Sequence, residues 1–132
     1  MSWGYVPSTM AGAKISRGVY ILFLSILIEL FGIIIAGVVG SESVFVLTLI
    51  LSSIIFVLGG IIYLTETPRI DSAMGDVIAF VVSLIKMIED TPFVFFLFYE
   101  GEVVLLLVVS FISFLFGLYF SLFSLGQISR KG

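Results

Sequence analysis

The chain has 132 residues, 61% of them hydrophobic and 11% charged, with a net charge of −3. Soluble domains carry about 25% charged residues, and small ones bury only about 60–70% of the surface that the unfolded chain exposes, so lipid or other protein must cover the rest. The lack of Cys excludes disulfides and thiol chemistry, and the lack of His removes the usual haem ligand, the commonest zinc ligand and the usual general base.

Met1 to Ala13 is a Gly-, Ser- and Pro-containing arm with Trp3 and Tyr5, residue types that favour the membrane–water interface. Ser8 and Thr9 are candidate caps for a first helix over about 14–40. From Gly18 to Gly40 the only charge is Glu29, at the midpoint. At ~1.5 Å per residue this stretch reaches ~35 Å, enough to cross a hydrocarbon core of ~30 Å. A secretory leader has a shorter apolar core, so the run is expected to be a retained span with no cleaved signal peptide.

Gly40-Ser41-Glu42-Ser43 reads as a tight turn in which Ser41 or Ser43 caps a second, uncharged helix over about 44–64. A polar connection containing Pro68 follows. The third segment, about 72–90, holds Asp76 and Lys86 and alternates apolar positions with a helical period. Asp90-Thr91-Pro92 has the form of a cap followed by Pro at a first helical turn, which predicts a new helix over about 92–129. That last helix opens on an aromatic run in which Phe93, Phe95, Phe96, Phe98 and Tyr99 are expected to protrude as a contact surface. From Val103 to Ser129 it has no charge.

Each predicted helix carries a row of small or polar residues at steps of three and four, which keeps the row on one face. The rows are Ser25, Glu29, Gly32, Ala36 and Gly40; then Thr48, Ser52, Gly59 and Tyr63, with Phe56 filling the gap between Ser52 and Gly59; then Ser72, Asp76, Ala79, Ser83, Lys86 and Asp90; then Ser110, Ser113, Gly117, Ser121 and Ser124. Small residues let helix backbones approach in lipid, and hydroxyls add hydrogen bonds of ~0.6–2 kcal/mol. The rows therefore specify an all-α hydrophobic four-helix bundle of polytopic membrane type, one domain over 1–132. If all four helices cross, Lys14, Arg17, Arg69, Arg130 and Lys131 share one side, as the positive-inside rule expects, with both termini on that basic side.

A carboxyl at the centre of a span costs about 2.5–3.5 kcal/mol on insertion scales unless it is neutral, paired or facing protein. Glu29 is thus either a proton site or a fixed hydrogen-bonding point, and Lys86 is its candidate partner. Glu29-Leu30-Phe31-Gly32 resembles the first helix of the small multidrug-resistance transporters. That resemblance implies a proton-coupled transporter working as two copies, with Glu29 binding protons and cationic substrate.

The acidic residues Glu89, Asp90, Glu100 and Glu102 fit no calcium-loop spacing and read as a solvated turn. There is no phosphate loop and no nucleophile with a base. No catalytic centre, cofactor or metal is expected. The leading expectation is a structural subunit that packs with lipid and other hydrophobic subunits, as an accessory chain of a membrane complex or as a coat, capsid or filament subunit. In the coat case Lys14, Arg17, Arg130 and Lys131 would meet nucleic acid.

Overall fold

The computed structural model describes residues 15–100 and 104–131, and the side chains of these other than Glu42, 92–100 and 104–107. Four helices follow one another: α1 (Arg17–Val39), α2 (Glu42–Glu66), α3 (Met74–Glu100) and α4 (Val104–Lys131). One turn of 3-10 helix, Thr67–Arg69, follows α2. Among the described residues there is no strand.

Local chemistry sets the helix ends. Ser16 caps α1, its hydroxyl accepting from the Gly18 N–H at 3.1 Å. Ser8 and Thr9, the caps expected from sequence, lie outside the described residues, as do Lys14 and the Trp3–Tyr5 arm. Gly40 ends α1 in the left-handed region at φ 74°, donating its N–H to the Ala36 carbonyl at 2.8 Å. This corrects its reading as a packing residue: Gly40 is exposed, a Cβ there would meet nothing within 4 Å, and its role is the cap that glycine fills at low cost. Ser41 caps α2, accepting from the Val44 N–H at 3.2 Å.

The break expected at Asp90-Thr91-Pro92 is not made; α3 runs through it to Glu100. Two contacts explain why. Asp90 turns inward to Lys86 instead of capping a new helix. The Thr91 hydroxyl donates to the Met87 carbonyl at 2.7 Å, within the turn that Pro92 deprives of an N–H. In apolar surroundings a helix is the conformation in which backbone groups satisfy one another, so proline is tolerated there.

Ion pairs and packing fix the arrangement. Arg17 at the start of α1 meets Glu66 at the end of α2, and Lys131 at the end of α4 meets Asp76 at the start of α3. The helices therefore alternate in direction, and Arg17, Arg69, Arg130 and Lys131 gather at one end, called here the basic end. α1 packs on α2 and α3 on α4, and the two hairpins join through α1–α3 and α2–α4 contacts.

The bundle is apolar outside. Phe23, Phe31, Ile34, Leu47, Ile54, Val81, Ile88, Phe111 and Leu122, drawn from all four helices, are exposed. Its interior mixes an apolar layer of Val19, Leu22, Ile26, Phe56, Tyr63, Ala79, Val82 and Phe120 with buried Ser25, Glu29, Ser52, Asp76, Ser83, Lys86, Asp90, Ser113 and Ser124. Soluble domains show the reverse. Arg17–Val39, Ser43–Arg69 and Val108–Lys131 are each long and apolar enough to cross a membrane. α3 is as long, at 27 residues, but carries Asp76, Lys86, Glu89 and Asp90; of these Asp76, Lys86 and Asp90 are buried, while Val77, Val81, Leu84, Ile85 and Ile88 face outward.

Glycines set the closest approaches. A Cβ on Gly18 would strike the backbone of Gly59 and Tyr63, and one on Gly60 the ring of Phe120. A Cβ on Gly59 would lie 2.9 Å from the Leu22 nitrogen, and one on Gly117 2.8 Å from Met87 Cγ. A Cβ on Gly32 would meet the Thr48 side chain.

Candidate functional site

Glu29 falls on the same face of α1 as Ser25 and Ala36, and all three are buried. Across from it α3 presents Lys86, and the Lys86 ammonium donates to Glu29 Oε1 in an ion pair whose two side chains are fully buried. The same oxygen accepts from the Ser52 hydroxyl of α2 at 3.1 Å, while that hydroxyl also approaches the Leu49 carbonyl at 3.1 Å. One turn further along α3, Asp90 Oδ1 accepts from Lys86 at 3.3 Å. The Phe56 ring lies 5.9 Å from the ammonium, within reach of a cation–π contact. Three helices thus meet on one lysine near mid-depth of the bundle.

Glu89 adds a third carboxyl within electrostatic reach of Glu29, Lys86 and Asp90. Its side chain is half-buried, yet neither carboxyl oxygen has a hydrogen-bond partner. Glu29 Oε2, Asp90 Oδ2, Ser83 Oγ and Ser113 Oγ are likewise buried and unpartnered. Ser113, on α4, faces the Asp90 carboxyl. The reading of Glu89 and Asp90 as part of a solvated turn is thereby corrected: both lie in the continuous α3 helix, and Asp90 is 1% exposed. Glu100 and Glu102 lie outside the described side chains. Among the described residues no cluster of three or more acidic, His or Cys groups is arranged to hold a metal ion.

The remaining residues of the small-polar rows serve packing and local bonds. Ser25 donates to the Leu22 carbonyl at 2.6 Å and Ser121 to Leu118 at 2.8 Å. Ser83, Ser110 and Ser113 are buried, Gly59 packs on α1, and Gly117 packs on α3. The aromatic contact expected from Phe93, Phe95, Phe96, Phe98 and Tyr99 lies outside the described side chains.

A second polar centre, not assembled by sequence reasoning, closes the basic end. Asp76 Oδ1 accepts from the Tyr63 hydroxyl and from the Thr67 hydroxyl, each at 2.6 Å, and Oδ2 accepts from Lys131 at 2.9 Å. Lys131 also donates to the Thr67 carbonyl at 2.7 Å. At the surface beside it Arg17 and Glu66 form an exposed pair at 2.6 Å, joined by the Ser16 hydroxyl at 2.9 Å. The signal was present: alternating helices bring the last lysine beside the first acid of α3. Tyr63 and Thr67 gave no pattern that marked them as its ligands.

No protein-family model, curated protein or solved structure matches the chain. Its class rests on fold and site: a four-helix, membrane-type bundle, apolar outside, closed around a lysine–carboxylate centre and an aspartate clamp.

Proposed function

We propose that the protein is a non-catalytic structural subunit of an integral membrane assembly. The observation that carries this reading is the buried Lys86–Glu29 pair with Ser52, which ties α1, α2 and α3 together at mid-depth. A transporter resembling the small multidrug-resistance type would need Glu29 open to a cationic substrate, and here Lys86 occupies that position. The small residues are used between the helices of one chain, so contact with other subunits falls to the large aliphatic and aromatic outer faces. Those faces suit lipid or the apolar surface of a neighbouring subunit.

The same geometry argues against the nucleic-acid form of a coat subunit. Among the described residues of the basic end, Arg17 is paired with Glu66 and Lys131 with Asp76, which reduces the positive charge offered to phosphate.

The test is reconstitution in lipid vesicles beside native-gel analysis of the solubilised protein. Wild type and Glu29→Gln are expected to show no proton-coupled uptake, and Glu29→Leu to lose the assembled species. Uptake that Glu29→Gln abolishes would contradict the reading.

A further inference from the structure

The Lys86 centre holds more acid than one ammonium neutralises. α1 contributes Glu29, and α3 contributes Lys86, Glu89 and Asp90. α2 and α4 meet the centre with Ser52, Phe56 and Ser113, none of which titrates in the physiological range. The described ion pairs bring no second cation to it.

A second, independent feature lies in the orphan atoms. Glu29 Oε2 and Asp90 Oδ2 have no hydrogen-bond partner, nor do the hydroxyls of Ser83 and Ser113, and the four residues are at most 1% exposed. Ser83 sits one turn before Lys86 on α3, and Ser113 faces Asp90 from α4. An ionised carboxylate only accepts hydrogen bonds, whereas a carboxylic acid also donates one. The Ser113 hydroxyl can donate to an ionised Asp90 or accept from a protonated one, so that pair accommodates either state, while Glu29 Oε2 and both oxygens of Glu89 remain without a donor. Like charges crowded in a buried site repel one another and so disfavour full ionisation.

We propose that the Lys86 centre is a proton-binding site in which Glu89 and Asp90 take up protons. Each uptake forms one O–H bond on a carboxylate oxygen, with hydronium as donor and water as product, and raises the charge of the centre by one. Between the centre and the basic end the interior is apolar, filled by Val19, Leu22, Ile26, Phe56, Val82 and Phe120. A proton suits the site better than a metal cation, since the Lys86 ammonium already lies among the carboxyl oxygens. The site adds a ligand to the bundle and does not depend on the structural reading above.

The experiment is infrared titration of the purified full-length protein in lipid vesicles, following the C=O stretch of protonated carboxyl groups. Wild type is expected to keep a protonated-carboxyl band above about pH 5, where exposed carboxyls of ordinary pKa near ~4 are ionised, and to lose it as the pH rises. Asp90→Asn and Glu89→Gln should each weaken that band, whereas Asp71→Asn, at an exposed acid, should leave it unchanged. The wild-type titration overturns the proposal by itself if no such band is present above about pH 5. A band undiminished in both Asp90→Asn and Glu89→Gln would also overturn it, because the proton would then reside elsewhere.

Discussion

At the basic end, Asp76 meets one ammonium and two hydroxyls, and both its oxygens are bonded. At mid-depth, Lys86 bonds two carboxylates, has a third beside it, and leaves several buried oxygens without partners. Both centres are buried and both join at least three elements of the chain. They differ in charge balance: one acid to one base at Asp76, three acids to one base at Lys86. A balanced centre is fixed by its own hydrogen bonds, so it acts as a clamp. An unbalanced one has room to change its protonation, and its stability rests on a single side chain.

That difference ranks the substitutions. Lys86→Met should have the largest effect, because it strands three carboxyls inside the bundle. Removing one partner of a buried ion pair costs about 3–5 kcal/mol, which thermal unfolding in mild detergent would register as a large fall in midpoint or as failure to accumulate. Asp76→Asn should cost less, about 1.5–3 kcal/mol for hydrogen bonds to a charged group. The amide retains one acceptor for the Tyr63 and Thr67 hydroxyls, and the loss falls mainly on the Lys131 contact.

Gly18→Ala tests whether the clamp depends on helix approach. The new methyl meets backbone of Gly59 and Tyr63, which cannot rotate away, and overpacking of this kind costs roughly 1–3 kcal/mol. Because Tyr63 carries a bond to Asp76, the hydrogen-exchange protection of α2 near residue 63 should fall with it. The smallest effect is expected for Arg17→Ala. Its side chain is 83% exposed, exposed ion pairs contribute little, and the unfolding midpoint should stay within measurement error. A large loss there would erase the contrast between the buried centres and the surface pair.

Much of this was legible in the sequence. Glu29 fell on the small-residue face, and that placement correctly turns it inward, since period alone decides which face a helical residue shares. Lys86 was nameable as its partner because it is the only base within the apolar part of α3. Three of the four helices follow from uncharged or nearly uncharged runs of spanning length, and the third in chain order, α3, from the helical period of its apolar positions. At Asp90-Thr91-Pro92 local cap chemistry favours a break, whereas the bonds from Lys86 to Asp90 and from Thr91 to Met87, each spanning one helical turn, favour continuity. The Asp76 clamp joins residues 63, 67, 76 and 131, and no local pattern links positions so far apart. Gly60 stands one place off the α2 row, so the row does not mark it, although its contact with Phe120 is among the closest in the bundle.

The most direct measurement is a double-mutant cycle on Glu29 and Lys86, read as thermal unfolding of wild type, Glu29→Gln, Lys86→Met and the double variant in the same detergent. If Glu29 works through Lys86, the double variant is no less stable than Lys86→Met alone, and the coupling falls in the range of about 0.5–3 kcal/mol found for contacting residues. Losses that simply add would contradict a bundle centred on this pair.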